Sequence, residues 1–422
     1  MQSKERILAK NTVMLYIMQI SSYVFPLLSF PYLTRVLGAE KYGIVVFANS
    51  IMSYFTLFIE FGFLLSGTKI CSDFCNNKEK LGDITFGIIQ AKLLLALLSA
   101  FALILSCMFV QKIRQDFVFF ILSFIGIFLT VFLPDFLFRG IEQMGILTYR
   151  VVAAKFIYTG LIFLFIKNER DYLIVPIATV GSNIFAVILT WVEIIRKKII
   201  VFSKVSFKQT FKYLKDSSLF FLSRIAATFY SSLNTVILGF KFPSSQVGQY
   251  GVANTLTNTS RSLMSPISDS IYPYMIKQKN FRLVKKIILI LEPLIIVCCG
   301  VLWVVAEPVV RFVCGQGYEN AVPMLRAMIP IIAITLPAYL FGYPVLGALN
   351  QTKWANLSVV ISASFHIVGL AVLFLFKKIG FIQIIVLTCI TQFLELGIRV
   401  CVIFRELKKR RHDKKVNEQA VL

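Results

Sequence analysis

The chain has 422 residues, 57% of them hydrophobic, and its mean hydropathy is +0.78. Soluble domains are about 45–50% apolar, so this composition excludes an ordinary soluble protein. The net charge of +23 does not indicate nucleic-acid binding, because most Lys and Arg lie in short segments between apolar runs. Positive charge in such segments is a signal of membrane topology. We therefore predict a membrane protein without a nucleic-acid partner.

The apolar runs have the length of about twenty residues that a helix needs to cross a bilayer. A transmembrane β-barrel is excluded, because its strands are about ten residues long and alternate in polarity. We predict twelve transmembrane helices, which we number as spans 1–12: Thr12–Leu33, Ile44–Leu65, Ile84–Phe109, Phe117–Phe138, Tyr149–Ile166, Leu173–Ile195, Ser217–Phe240, Tyr250–Ile276, Ile287–Val310, Val322–Leu349, Ala355–Phe376 and Phe381–Phe404.

The connecting segments set the orientation of these spans. They are short, apart from the basic connector Arg196–Asp216. With the N-terminus inside, the cytoplasmic segments hold far more Lys and Arg than the outside loops, which predicts that both termini are cytoplasmic. The basic tail at residues 405–422 is expected to be unstructured. Its charges either contact anionic membrane lipids or serve only as the last topology signal.

Short motifs recur in the two halves of the chain. Lys41-Tyr42-Gly43 resembles Gln249-Tyr250-Gly251, and Glu142-Gln143-Met144 resembles Asn350-Gln351-Thr352, both at an offset of 208 residues. A six-span unit begins and ends on the same side of the membrane, so the copies are predicted to be parallel repeats. The predicted organisation is a six-helix bundle at 1–195, a connector at 196–216, a second bundle at 217–404 and a tail at 405–422.

Polar stripes mark a predicted cavity between the bundles. Span 8 carries polar residues at helical spacing, and spans 1, 2 and 7 carry similar stripes. Intramembrane charges are expensive and usually face a cavity, and the planar fork of Arg suits a diphosphate. The candidate substrate-binding residues are Arg224, Arg261, Asn258, Asn254, Asn49 and Ser53. The alternative for both Arg residues is a structural ion pair or hydrogen bond within a bundle.

The other intramembrane charged groups receive separate interpretations. Glu60 and Asp269, on or beside the stripes, are candidates for ion coupling. Lys92 is expected to snorkel to the interface. Two pairs have the i, i+4 spacing of a helical ion pair, namely Asp135 with Arg139 and Glu395 with Arg399. For His366, a hydrogen-bonded packing role is favoured over proton coupling.

Signals of enzymatic chemistry are missing from the sequence. It has no GxxxxGK(S/T) phosphate loop, no HExxH motif and no nucleophile elbow. The eight Cys are scattered, and Cys71 and Cys75 have no His nearby to complete a zinc site. We expect neither an enzyme, a cofactor nor a metal site.

Two segments resemble a known family. FPYLTRVLGAEKYGIVVFANSI (Phe30–Ile51) is similar to the opening of polysaccharide biosynthesis flippases, the O-antigen or Wzx-type branch of the MOP exporter superfamily. VILGFKFPSSQVGQYGVANTL (Val236–Leu256) resembles the counterpart of that segment in the second half of these flippases. The resemblance implies a V-shaped, MATE-like pair of six-helix bundles that works by alternating access. It also implies an undecaprenyl-diphosphate-linked oligosaccharide as substrate, moved across a bacterial inner membrane.

Some alternatives and partners stay open at this stage. One rival is a cation-coupled multidrug exporter of the same superfamily, although the deepest charges here are basic. A membrane glycosyltransferase or polymerase would need a large outside loop, and none is present. Expected partners are the lipid-linked oligosaccharide, membrane lipids, H⁺ or Na⁺ as coupling ion, and polysaccharide polymerase or assembly proteins.

Overall fold

The structure is a computed structural model. It describes the backbone of residues 2–203 and 205–419, and within them the side chains of residues 11–203, 205–218, 220–221 and 232–409. This described part is helical and has no strand, which confirms the predicted all-α class. Its α-helices are α1 Gln2–Glu60, α2 Phe63–Asp73, α3 Lys78–Phe109, α4 Gln111–Gln115, α5 Phe117–Leu129, α6 Asp135–Gly140, α7 Met144–Phe165, α8 Ile174–Arg196, α9 Phe207–Lys241, α10 Ser244–Ser262, α11 Ser265–Gln278, α12 Phe281–Val304, α13 Ala306–Cys314, α14 Ala321–Ala333, α15 Thr335–Leu340, α16 Thr352–Leu375 and α17 Phe381–Gln419.

The lengths of these helices confirm a multi-spanning membrane protein. Among the described residues, nine helical stretches are long and apolar enough to cross a membrane. The first, Asn11–Asp73, contains the predicted spans 1 and 2, and its 63 residues would extend about 95 Å at 1.5 Å per residue. Spans 7 and 8 fall on α9 and on α10 with α11, outside those nine stretches. The count of twelve therefore stays a prediction.

The junction of spans 1 and 2 is a kink within α1. Gly38 has a φ of 64° and a ψ of 174°, a positive-φ conformation that glycine adopts readily. Beyond the kink, α1 meets the start of α10 backbone to backbone. A Cβ added to Gly43 would lie 1.7 Å from the Ser244 carbonyl oxygen, and one added to Gly248 would lie 2.1 Å from the Ala39 carbonyl oxygen. Glycine is required on both sides of this contact.

Gly43→Ala is expected to destabilise the protein by at least about 1–3 kcal/mol, because backbone on the facing helix fills the space of the added methyl group. The measurement is the thermal midpoint of the purified protein by fluorescence-detected size exclusion. Gly145→Ala is the control, since a Cβ at Gly145 would meet no atom within 4 Å. Equal midpoints for the two variants would contradict the close approach.

Contacts divide the chain into two compact units: Met1–Thr228 with Thr235–Gly248, and Phe229–Asn234 with Gln249–Leu422. In the first unit, α7 packs against α1 and α8, and α8 packs against α5. In the second unit, α17 packs against α14 and α16. Most of α9 belongs to the first unit by its contacts. The predicted division into a bundle at 1–195, a connector at 196–216, a bundle at 217–404 and a tail at 405–422 stays a prediction.

The connector packs into the first unit, and the tail is more ordered than expected. The connector residues Ile199, Ile200 and Tyr213 are buried in the core of the first unit, and its second half is the start of α9. The expectation of an unstructured tail is wrong for residues 405–419, which continue α17. Runs of Lys, Arg and Glu have high helix propensity, so the helix does not stop where the apolar span ends.

The predicted spans 4 and 10 are broken helices whose freed backbone groups are satisfied by side chains. In the first unit, the Trp191 indole N–H donates to the Phe132 carbonyl at 3.0 Å, where α5 has ended. In the second unit, α15 runs into a π-helical segment, and Arg399 donates to the Ala338 carbonyl at 2.6 Å. A carbonyl left unbonded in hydrocarbon would cost several kcal/mol, so the Trp191 bond makes the first break tolerable. The Ala338 carbonyl also accepts from the backbone N–H of Phe341, and Arg399 adds a second donor to it.

The turns that follow these two broken spans have the same backbone structure. Glu142 and Asn350, which are 208 residues apart, both adopt the left-handed conformation, with φ of 57° and 61°. The N–H groups of Gln143 and Gln351 each donate to the carbonyl five residues earlier, at 2.9 and 2.7 Å. This equivalence supports the predicted internal repeat at the level of local structure.

Candidate functional site

The polar face of the predicted span 8 lies on α10. Asn254, Asn258 and Arg261 are separated by four and three residues, which places them on one side of the helix. Asn258 donates from its amide to the Asn254 side-chain oxygen at 3.1 Å. The structure therefore brings together three of the residues predicted from the stripe.

The predicted span 8 is divided between two helices. α10 ends at Ser262, and α11 begins at Ser265 with a proline in its first turn. Pro266 has no N–H and its ring excludes the carbonyl four residues earlier, so a helix cannot run through it undisturbed. Asp269 consequently belongs to a separate helix and is exposed.

A small polar cavity opens beside α10, within the second unit. Its volume is about 80 Å³, well below the about 300–1,000 Å³ of typical ligand pockets. Asn254, Asn258 and Arg261 form one wall. The other walls come from α9, α14, α17 and the start of α10, through Asn234, Tyr250, Thr257, Met328, Ile331, Ile385, Thr388 and Gln392.

Arg261 is held in this cavity by neutral partners. Its Nε donates to the Thr335 hydroxyl at 3.2 Å, and its Nη2 donates to the Gln392 amide oxygen at 3.3 Å. These bonds use two of the five guanidinium donors. Among the side chains described, none of the ion pairs involves Arg261. Its positive charge therefore faces the cavity without a compensating carboxylate from this part of the chain.

A hydrogen-bonded network continues from the cavity wall into the core of the second unit. Asn234 donates to the Thr388 hydroxyl at 3.0 Å, and its oxygen lies 2.8 Å from Nε2 of His366. The other ring nitrogen of His366 lies 2.9 Å from the Thr391 hydroxyl, and the imidazole is fully buried. The hydrogen-bonded packing role predicted for His366 is confirmed. The sequence reasoning missed Asn234 and Gln392 as site residues.

The remaining predicted substrate residues do not line this cavity or cannot be placed in it. Asn49 is exposed on α1 in the first unit. Ser53 lies one turn further along the same helix and donates to the Ser50 carbonyl at 2.7 Å. The side chain of Arg224 lies outside the described residues. The roles of these three residues stay predictions.

The candidate coupling residue Glu60 forms an ion pair inside the first unit. Its carboxylate lies 2.7 Å from the ammonium of Lys92, which is 2% exposed. The expectation that Lys92 snorkels to the membrane interface is wrong. Its ammonium stays buried, because the Glu60 carboxylate on the neighbouring helix compensates the positive charge. The ammonium also approaches the Phe136 ring, at 6.0 Å from its centroid. Glu60 therefore forms a structural ion pair, whether or not it also binds a coupling ion.

One of the two predicted helical ion pairs forms and the other does not. Glu395 and Arg399 pair at 2.5 Å, as predicted. Asp135 instead binds Arg150, through two hydrogen bonds of 2.6 and 3.0 Å. The guanidinium fork of Arg150, on the neighbouring α7, satisfies both carboxylate oxygens. Arg139 is left with a buried Nε that has no partner among the described residues.

The cavity groups are suited to an oxygen-rich ligand. One guanidinium, three Asn amides and several hydroxyl groups converge there. Arg binds phosphate oxygens through paired, charge-assisted hydrogen bonds, and amides and hydroxyls both donate to and accept from sugar hydroxyls. Met328, Ile331 and Ile385 supply the apolar part of the lining.

Comparisons with known proteins show the family of the chain. Residues 8–279 match the model of the family described as "Polysaccharide biosynthesis protein". A protein of Escherichia coli (strain K12) named "Putative O-antigen transporter" is 28% identical over 395 residues, which cover 90% of this chain and 93% of that protein. One of the same name from Shigella dysenteriae is 25% identical and covers 66% of this chain and 70% of its own length.

Solved structures share the fold. Lipid II flippase MurJ, in an inward closed conformation, aligns with a TM-score of 0.69 and 15% identity, covering 94% of this chain and 87% of its own. An inward-facing multidrug resistance MATE family transporter of the MOP superfamily also has a TM-score of 0.69, with 12% identity and coverage of 94% and 99%. These likenesses confirm the MATE-like transporter fold.

Proposed function

This chain belongs to the polysaccharide biosynthesis protein family, and we propose that it is a flippase for lipid-linked oligosaccharide repeat units. The substrate class is an undecaprenyl-diphosphate-linked repeat unit of O-antigen or a similar surface polysaccharide. The protein acts as a transporter in the bacterial inner membrane rather than as an enzyme. The relatives named as O-antigen transporters support this substrate class, because they cover most of the chain.

The observation that carries the proposal is the position of Arg261. It lies in a polar cavity within a membrane-spanning helical unit, and no described carboxylate neutralises it. A cation in hydrocarbon costs about 2.5–3.5 kcal/mol or more at the bilayer centre. A diphosphate passing through the cavity would offset that cost. A cation-coupled drug exporter would be supported by acidic residues in the cavity, and the described lining contains none.

The small size of the cavity defines what transport requires. A volume of about 80 Å³ cannot hold a diphosphate with its sugars, so the walls formed by α10, α14 and α17 must separate when substrate enters. The polyprenyl chain has no need to enter, because lipid is an equivalent solvent for it. In the proposed cycle, the headgroup alone passes through the protein by alternating access.

Deletion of the gene tests the function. We expect loss of the surface polysaccharide and accumulation of lipid-linked repeat units on the cytoplasmic side, because synthesis continues while translocation stops. Both effects should reverse on complementation with the wild-type gene. Unchanged polysaccharide together with increased drug susceptibility would overturn the proposal in favour of a multidrug exporter.

Topology is tested by reporter fusions after Asn76, Ser206 and Asp413. All three are expected to report a cytoplasmic position, because the loops that hold most Lys and Arg face that side. A fusion after Asp171, in a predicted outside loop, is the control of opposite sign. An outside signal at any of the first three positions would contradict the proposed orientation of both termini.

Energy coupling completes the proposal. The sequence has no nucleotide-binding loop, so an ion gradient of H⁺ or Na⁺ is proposed to reset the transporter, with Glu60 or Asp269 as the group that binds the ion. Polysaccharide polymerase or assembly proteins are the proposed downstream partners, because the flipped repeat unit is their substrate.

A further inference from the structure

A second pocket, separate from the Arg261 cavity, lies within the first unit. It has a volume of about 1050 Å³ and is formed where four chain segments meet: the start of the first span, the turn before α3, the turn between α6 and α7, and the end of α8. The sequence predicts all four segments to lie on the cytoplasmic side. Nothing in the proposed transport cycle uses this pocket.

The charge lining this pocket is predominantly positive. Lys78, Arg139, Lys197 and Lys198 line it, with Glu142 as the acidic member among the lining residues. Lys197 is paired at 2.7 Å with Glu193 outside the lining, so its charge is already compensated. Lys78, Arg139 and Lys198 form no ion pair with a described side chain. Three cations therefore face the pocket against one carboxylate.

Arg139 gives the strongest indication that the pocket binds a ligand. Its Nε is buried and has no hydrogen-bond partner among the described residues. A buried donor without a partner costs about 1–3 kcal/mol, and more when the group is charged. The acid expected to pair with it, Asp135, is fully engaged by Arg150. The guanidinium lines the pocket and has no ion-pair partner among the described side chains, so an oxyanion in the pocket would compensate its charge.

The lining of the pocket is also partly apolar. Leu15, Ile141, Met144 and Ile199 contribute apolar walls. Next to Leu15 on α1, the side chains of Val13 and Tyr16 are 55% and 52% exposed. Cations beside exposed apolar helix surface suit an amphiphile better than a free anion.

We propose that this pocket binds the phosphate headgroup of an anionic phospholipid from the adjacent leaflet. Lys78, Arg139 and Lys198 bind the phosphate oxygens, and the acyl chains lie along the exposed apolar face of α1. Basic pockets between transmembrane helices on the cytoplasmic side are suited to such headgroups. The inference does not depend on the transported substrate, since the pocket lies wholly in the first unit.

The test uses the delipidated full chain in neutral detergent and measures bound lipid by native mass spectrometry. Phosphatidylglycerol is the probe, and phosphatidylcholine and inorganic phosphate are the comparison ligands. We expect saturable binding of phosphatidylglycerol, with weaker binding of phosphatidylcholine and little competition from millimolar phosphate. The triple variant Lys78→Gln/Arg139→Gln/Lys198→Gln should weaken phosphatidylglycerol binding at least about tenfold.

The control variant Lys69→Gln/Lys80→Gln/Arg196→Gln removes the same charge from exposed positions that do not line the pocket. Its binding should match that of the wild type. An equal loss in both triple variants, equal binding of the two lipids, or full competition by inorganic phosphate would each overturn the proposal. If the pocket triple variant does not fold, the single variant Arg139→Gln is tested instead, since the Arg139 side chain has no described hydrogen bond to lose. Unchanged selectivity of this variant for phosphatidylglycerol over phosphatidylcholine would overturn the proposal.

Discussion

Arg261→Ala is expected to abolish surface polysaccharide while the protein remains in the membrane. If the guanidinium binds the diphosphate through two charge-assisted hydrogen bonds, each contributing about 1.5 kcal/mol, its removal slows translocation at least about a hundredfold. The measurement is the rate at which repeat units reach the outer leaflet, together with the amount of protein in the membrane by immunoblotting. Arg224→Ala is expected to have the same effect, and this expectation rests only on the polar stripe of span 7 in the sequence.

The variant series is designed to separate binding from folding. Arg261→Lys should restore activity only in part, because it keeps the charge and loses the bidentate fork. Arg326→Ala is the control: Arg326 is in the same unit, but it donates to the Trp303 carbonyl and does not line the cavity. Full transport by the Arg261→Ala variant would refute the binding role. Loss of the Arg261→Ala protein from the membrane would favour a structural role for its bonds to Thr335 and Gln392.

Glu60→Gln is expected to lower the free energy of unfolding by about 2–4 kcal/mol, because it leaves Lys92 buried without a counter-charge. The range lies below the about 3–5 kcal/mol of a fully buried pair, since the Glu60 side chain is 22% exposed. The measurement is the thermal midpoint and the amount of protein in the membrane. Unchanged values for both would show that the ion pair contributes nothing to the fold.

A second substitution isolates the proposed coupling role of Glu60. Glu60→Gln/Lys92→Met removes both charges and should recover much of the lost stability, because no unpaired charge is left buried. If Glu60 binds the coupling ion, transport by this stable double variant remains slow. Asp269→Asn should leave the protein level unchanged, since Asp269 is exposed. Normal transport by both variants would exclude both residues from coupling.

The part of the site that the sequence predicts is the part that lies on one helix. The spacing of Asn254, Asn258 and Arg261 is sufficient to place them on a common face, and the structure confirms it. Asn234 and Gln392 were missed because they come from helices distant in sequence, and no periodicity relates one helix to another. A signal was present in span 12, where Thr388, Thr391 and Gln392 interrupt an otherwise apolar run.

The errors in pairing have a similar origin. Spacing along one helix predicts Glu395 with Arg399, and that pair forms because α17 is continuous there. The same rule fails for Asp135, whose helix has six residues and whose partner Arg150 lies on α7. Lys92 was misread for the same reason, since its partner lies on another helix. Local patterns thus predict the helices well and the contacts between them poorly.

The broken spans also have a mechanical consequence. A continuous helix carries an axial push from one membrane face to the other as a stiff rod. A helix interrupted by a π-helical segment, as between α15 and the turn at Asn350, is two shorter rods with a compliant joint. Because Arg399 bonds to the Ala338 carbonyl, α17 bears part of the load at that joint. Part of a force applied at one end of span 10 is therefore passed sideways into α17.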